Sequence, residues 1–367
     1  MASTQVLEYR EPDIEMSGID RSPIDARVIS AFRRGDESAF AAVAARFRRE
    51  LHVHCYRMLG SFDEAEDLVQ ETMLRAWRYR HTYQGRASVR TWLYRVATNT
   101  CFDRVGQRVL VGEDTRSEGA PLYSAVPWIQ PYPDALLDEM PESTPHAEAR
   151  AVTRETIELA FLATIQLLPA KQRAVLLLRD VMEFSAAEAA DILEDSIASV
   201  NSALQRARTT LKQLKHRPTE TVLSRRVSFD ETVLLQFLMD AQQRGDVDRI
   251  VELLREDVRM TLFPDGMTWE GRDAVAAEHY RLKAQSDGQV RSIAIAANRQ
   301  PAVAIYVRRL DDTLFRAWAV VLLAVQDAKL KEIATFVSPA LFARFDLPLT
   351  LTDEASRRFD HRAEELL

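Results

Sequence analysis

Between Asp63 and Arg108 the sequence DEAEDLVQETMLRAWRYRHTYQGRASVRTWLYRVATNTCFDRVGQR sets cations among rings: Arg75, Arg78, Arg80, Arg86, Arg90, Arg95, Arg104 and Arg108 are interleaved with Tyr79, Tyr83, Trp92, Tyr94 and Phe102. Cations bind phosphates and aromatic faces hold unstacked bases, so this composition suits an opened nucleic-acid strand. The start of the stretch has another character. At three- and four-residue spacing Ala65, Leu68, Val69, Met73, Ala76 and Trp77 form an apolar helix face, whereas Asp67, Gln70 and Glu71 share a polar one that can meet a basic partner helix. Taken alone, the stretch also fits an ordinary helical bundle with its rings in the core and its arginines solvated.

A second constellation lies downstream, in LPAKQRAVLLLRDVMEFSAAEAADILEDSIASVNSALQRARTTLKQL, residues 168–214. The spacing predicts helices broken near Phe184 and Asp195. Ser185 followed three residues later by Glu188 is a capping box, and Ser196 can cap the next helix. Two short helices joined by a tight turn make a helix-turn-helix, whose second helix enters a major groove. Within 199–208, Val200, Ala203, Leu204 and Ala207 fall on the inner face and Asn201, Ser202, Gln205 and Arg206 on the outer one. Asn and Gln pair with adenine and Arg with guanine, at roughly 1–3 kcal/mol of discrimination each.

The first segment resembles region 2 of bacterial sigma factors of the extracytoplasmic-function class, and the second resembles their region 4. The resemblance implies that Asp67, Gln70 and Glu71 contact the clamp helices of the core RNA polymerase β′ subunit. It places Tyr83, Arg86, Ser88, Trp92, Arg95 and Asn99 at the melted minus-10 element of promoter DNA, where a base is flipped from the stack at a cost of a few kcal/mol. It puts Ser199, Asn201, Ser202, Gln205, Arg206 and Arg208 on the minus-35 element, with region 4 docked on the β flap. Many members carry a basic residue where this chain has Asn201 and another where it has Ala203, so fewer phosphate contacts and weak autonomous binding to duplex DNA are expected.

The formal charge of −7 over 367 residues looks wrong for a DNA binder until it is resolved along the chain. Residues 72–108 and 201–226 are rich in cations. The intervening stretch carries Glu113, Asp114, Glu118, Asp134, Asp138, Glu139, Glu142 and Glu148 against Arg116 alone, with six prolines from Pro121 to Pro145. It is expected to be extended rather than folded. In the family such a linker threads the polymerase's active-site cleft. No run of about eighteen apolar residues and no signal peptide is present, which implies a cytoplasmic chain with no membrane partner. Two cysteines, Cys55 and Cys101, make no disulfide framework, and His52, His54 and Cys55 lack the spacing of a metal site. No metal or cofactor is expected.

After Ser228 the period changes. Asp230 can cap a helix through Ala241, Gly245 and Asp246 break it before 247–254, and β-rich runs follow at 258–263, 290–296, 302–308, 314–325 and 330–337. Helices first and a sheet afterwards indicate α+β. With EDVRMTLFPDG, WEGRDAV and FVSPALFARFDLP, this part resembles the SnoaL-like cone of the nuclear-transport-factor-like superfamily. The resemblance implies a concave pocket that could take a small-molecule ligand, with Phe263, Trp269, His279, Tyr280, Tyr306 and Trp318 either lining it or simply filling the cone. Asp265, His279 and Asp311 are the acid or base candidates, and none sits in a distinctive motif.

The expected architecture is therefore multidomain: two all-α sigma domains, a helical bundle and a helix-turn-helix, followed by an α+β cone. Its parts are a flexible acidic extension (1–27), region 2 (28–108), an acidic Pro-rich linker (109–150), region 4 (151–217), the SnoaL-like domain (228–347) and a tail (348–367). The expected function is that of an alternative sigma factor, not an enzyme, regulated in cis by its C-terminal domain. The other class left open is a small-molecule enzyme or sensor fused to an ordinary DNA-binding module.

Overall fold

The computed structural model describes residues 25–107, 125–138, 156–215, 229–285 and 288–355. The acidic extension up to 24, residue 108, most of the linker and the end of the tail lie outside them. The first part is a bundle of α1 (Ala26–Arg34), α2 (Glu37–Leu59), α3 (Phe62–Arg78) and α4 (Val89–Gln107). Its boundaries follow from local chemistry. Asp36 accepts from the Ala39 N–H at 2.9 Å and Ser61 from the Glu64 N–H at 3.3 Å, while Gly35 and Gly60 end α1 and α2 in the left-handed region. The interior of α2 buries Leu51, Cys55, Met58 and Leu59, and α3 buries Ala65, Leu68, Val69 and Ala76, as the periodicity requires.

The linker departs from expectation. Part of it is folded: Val126, Ile129 and Tyr132 are fully or almost fully buried, and α5 (Asp134–Asp138) follows. The cause is the end of α2, whose last carbonyls have no partners within the helix. The Trp128 indole donates to Leu59 O at 3.0 Å and the Gln130 N–H to Gly60 O at 2.9 Å. Region 4 supplies the rest. The Gln166 amide donates to Arg57 O at 3.0 Å, and the buried Arg173 guanidinium donates to Met58 O while also holding Ile165 O, Gln166 O and Leu168 O.

Region 4 itself consists of α6 (Leu159–Gln166), α7 (Ala170–Leu176) running into a single π-turn (Leu177–Val181), α8 (Ala186–Leu193) and α9 (Ile197–Lys215). The Ser185 and Glu188 capping box is formed in both directions, and the Ser196 hydroxyl accepts from the Ser199 N–H at 3.1 Å.

The third part is α10 (Phe229–Arg244), α11 (Val247–Glu252), β1 (Leu254–Phe263), β2 (Met267–Glu270), α12 (Arg272–Gln285), β3 (Gln289–Ala297), β4 (Gln300–Arg308), β5 (Phe315–Gln326), β6 (Lys329–Phe336) and a two-residue β7 (Thr350–Leu351). Strand order is β2-β1-β6-β5-β4-β3, with β1 and β6 parallel, the other pairs antiparallel, and β7 added to β5. The sheet has two apolar faces. Val303, Ile305, Val321 and Leu323 pack under the helices of this part, whereas Phe263, Ala304, Val320 and Phe336 belong to one continuous core with the helical regions.

Candidate nucleic-acid interface

The polar face of α3 is built as its spacing predicts. Asp67 and Gln70 are exposed, and Glu71 reaches back to Arg75 at 2.7 Å. Arg75 is also held by Asp103 at 2.8 Å, and these two carboxylates, Asp103 foremost, raise its pKa above the usual guanidinium value. Leu74 was not anticipated. It stands 65% exposed, one helical turn beyond Gln70 and Glu71, and gives the acidic face an apolar contact point. An isolated large apolar residue continuing a polar stripe at four-residue spacing was the available signal.

Along α4, Trp92, Arg95 and Asn99 fall on one face, at i, i+3 and i+7. The preceding loop exposes Arg86 and Ser88, with Gly85 in the left-handed region. The Ser88 hydroxyl is partly committed, since it accepts from the Thr91 N–H at 3.0 Å and caps α4. Tyr83 corrects the expectation of a base-holding ring. It is 6% exposed, its ring packs 5.5 Å from that of Trp92, and its hydroxyl donates to Ala87 O at 2.9 Å. Burying this phenol shapes the loop and props Trp92, and leaves no open aromatic face. Arg95 is engaged as well: it forms an ion pair with Glu194, in the turn of the helix-turn-helix.

On α9 the outward and inward positions fall as the helical spacing predicts. Asn201, Ser202, Gln205 and Arg206 are exposed, while Val200, Ala203, Leu204 and Ala207 are buried. The two flanking residues do other work. Ser199 is half-buried at the helix start beside Asp195, whose pKa is pushed down to about 2 by Lys171 first and then by Ser199 and the Ser196 N–H. Arg208 makes a two-pronged ion pair with Asp180 at 2.7 and 2.9 Å, which raises its pKa and braces α9 against the π-turn. A groove beside α9 is lined by Arg179, Asn201, Leu204, Gln205, Arg208 and Lys212, so cations border this exposed face.

The nominated pocket residues of the third part do not converge. Phe263 stacks on Phe336 at 4.5 Å and Tyr306 donates its hydroxyl to Pro348 O at 2.8 Å, both on the sheet face shared with the helical regions. Trp269 and Trp318 pack on the opposite face. Tyr280 is 45% exposed and bonded to Asp248. The His279 ring meets Val275 O at 2.8 Å, and burial lowers its pKa. Asp265 and Asp311 are exposed, so these candidates do not meet His279 across a cavity. Alternation along a strand sends neighbouring aromatics to opposite sides, and composition alone cannot assign the side.

One junction residue was missed altogether. Asn298, at the left-handed tip of the β3–β4 hairpin, is fully buried among other parts of the chain. Its amide nitrogen donates to the Tyr56 hydroxyl and to Ile157 O, both at 2.8 Å, and its oxygen accepts from the Tyr132 N–H at 2.8 Å. Arg299 donates its N–H to Asp134 and pairs with Asp138, and the Gln300 side chain accepts from the Leu159 N–H at 3.0 Å. Asparagine favours such turns, which is the only local signal.

Comparison with known proteins finds three families that match successive stretches of the chain. The sigma-70 region 2 family matches residues 43–109, the sigma-70 region 4 family residues 158–211, and the SnoaL-like domain family residues 235–333. The ECF RNA polymerase sigma factor SigG of Mycobacterium tuberculosis (strain ATCC 25618 / H37Rv) is 38% identical over 328 residues, covering 87% of this chain and 86% of that protein. This chain belongs to the ECF family of RNA polymerase sigma factors. SigW of Bacillus subtilis (strain 168) is 32% identical over 192 residues, 51% of this chain and 95% of its own length. The crystal structure of Mycobacterium tuberculosis SigJ shares the fold, with a TM-score of 0.53 at 21% identity over 88% of this chain and 99% of that one. Sigma factors bind core RNA polymerase and promoter DNA, and this ECF factor directs promoter-specific transcription initiation with a SnoaL-like domain fused behind region 4. No helix among the described residues is long and apolar enough to cross a membrane.

Proposed function

We propose that this ECF sigma factor acts in the cytoplasm in two states: an open one on the polymerase and a closed one held in cis by its SnoaL-like domain. Asp67, Gln70 and Glu71, with Leu74, dock on the β′ clamp helices, and region 4 meets the β flap. Trp92, Arg95, Asn99 and the Arg86–Ser88 loop hold the opened minus-10 strand. Asn201, Ser202, Gln205 and Arg206 read the minus-35 element, with Ser199 and Arg208 fixing the helix that presents them. The mechanism contains no covalent step, and the C-terminal domain works by contact rather than turnover.

The observation that carries this reading is Asn298, a single side chain bonded to region 2, to the linker and to the entry of region 4. A linker pinned at Tyr132 cannot at the same time extend between two regions held apart on a polymerase. Run-off transcription with purified core enzyme, on a promoter found by footprinting, tests both states. Replacing Asp67, Gln70 and Glu71 together by alanine should abolish core capture, and Asn298→Gly should raise output from limiting sigma factor. Core capture retained by the triple variant would refute the docking face, and unchanged output from Asn298→Gly would refute regulation in cis.

A further inference from the structure

We propose that region 4 masks region 2 in the free protein, with the Glu194 carboxylate occupying the cation that the opened promoter strand needs. The inference rests on the assignment of Arg95 to that strand, and is independent of any role for the C-terminal domain.

Both ends of α8 land on α4. Before α8, the Phe184 ring lies edge-on to Tyr94 with centroids 5.0 Å apart, and the Arg90 guanidinium carbon is 4.4 Å from the Phe184 ring centre. After α8, Glu194 forms its ion pair with Arg95. The two contacts differ in kind. Phe184 is 3% exposed and anchors the packing, whereas the side chains of Arg95 and Glu194 remain 45% and 55% exposed. The buried anchor sets the two regions in register, and the solvent-exposed ion pair beside it can exchange its partner for another anion.

Glu194 occupies a telling position. It is the residue that ends α8 in the left-handed region, with φ of 52° and its N–H on Ala190 O. Helices that end this way favour Gly or Asn, which carry that conformation at less cost. Neither would pair with Arg95. A carboxylate there offers the guanidinium the same charge-assisted acceptor that a DNA phosphate offers, so strand and turn compete for one group. Separation of the two regions on the polymerase removes the competitor without any change within region 2. Off the polymerase, the mask adds to the weak duplex binding expected from Asn201 and Ala203.

The test uses the full-length protein and a fluorescent single-stranded oligodeoxynucleotide of mixed sequence, followed by anisotropy at low salt. Glu194→Gln should tighten binding about three- to fivefold, the scale of one exposed ion pair. Asp191→Asn removes the same charge three residues earlier, from an exposed position of α8, and should leave affinity near that of the parent. A second readout needs no DNA. Cys55 and Cys101 are buried, so spin labels on cysteines introduced at the exposed His81 and Gln213 attach selectively. Glu194→Arg should lengthen and broaden the distance between them, and Asp191→Arg should not. Equal affinities for Glu194→Gln and Asp191→Asn, or distances unmoved by Glu194→Arg, would overturn the mask. Arg95→Ala separates the two ways of failing. If it does not weaken oligonucleotide binding, the assignment of Arg95 falls and the mask with it; if it does weaken binding while Glu194→Gln does not tighten it, only the mask falls.

Discussion

At the hairpin tip, Asn298 is fully buried and its hydrogen bonds run to three other segments of the chain. Where region 4 meets α4, Arg95 and Glu194 form an ion pair that water and salt can reach. The two junctions close the same molecule with opposite physics. Removing one partner of a buried polar contact strands the other away from water, so such a junction yields all at once. An exposed ion pair exchanges readily for solvent, counterion or another anion, so it suits a contact that must be traded for DNA.

The sharpest way to break this contrast is at Asn298. Glycine keeps the left-handed backbone and deletes only the side chain, leaving the Tyr132 N–H and Ile157 O without this partner, and should cost about 3 kcal/mol or more in a urea titration. A loss below about 1 kcal/mol would mean that water substitutes and that the tip is no stronger than a surface contact.

Acid probes the buried side in a second way. His52 and His54 are pushed down to about 3, chiefly by burial, and His52 bonds the linker through the Tyr132 hydroxyl at 2.9 Å. Their folded pKa values lie below the unfolded value near 6.5. The unfolded chain therefore takes up the protons first, and stability is fully present above pH 6.5 and lost as pH falls from there toward 3. Between pH 7.5 and 5.5 the pair should cost about 2–3 kcal/mol, read as a lower urea midpoint, and His54→Gln should show a shallower dependence. A flat profile over that range would show that these rings are not held neutral.

The smallest effect belongs to the exposed side. A double-mutant cycle on Arg95 and Glu194, measured by urea unfolding, should give a coupling below about 1 kcal/mol that fades at high salt. Coupling of several kcal/mol, insensitive to salt, would erase the distinction between the two junctions.

How much of this was legible in the sequence follows the range of the forces involved. The outward placement of Asn201, Ser202, Gln205 and Arg206 depends on a 3.6-residue period and on caps within three residues, so periodicity sufficed. The same logic located the face of Asp67 and Gln70 but not Leu74, because the period marks an apolar face and a polar one and Leu74 is an apolar residue on the polar one. Tyr83 has the right chemistry for stacking on a base, yet the core beside Trp92 claimed it. The sheet was harder. Five strands were found, whereas β2 and α12 were not, and the aromatics Phe263, Tyr306, Trp269 and Trp318 were pooled into one pocket when strand alternation divides them. Asn298 and Glu194 were invisible, since each acts on partners far away in sequence, and the helix-turn-helix motif that holds Glu194 does not point to Arg95. The folded piece of the linker was hidden by its composition: prolines and acids argue for an extended chain, while Trp128 and Gln130 satisfy a helix end that only the tertiary structure brings near.

The shared core that runs from the helical bundle into one face of the sheet also bears on how this protein is made. Translation proceeds N-terminus first, at about 5–20 residues per second, so the end of α9 precedes Asn298 by roughly ten seconds. During that interval Tyr56 and Tyr132 have been synthesised but lack the hairpin that will cover them. The nascent sigma regions must wait half-assembled, with sticky surface showing, until the last third of the polypeptide arrives to act as their lid.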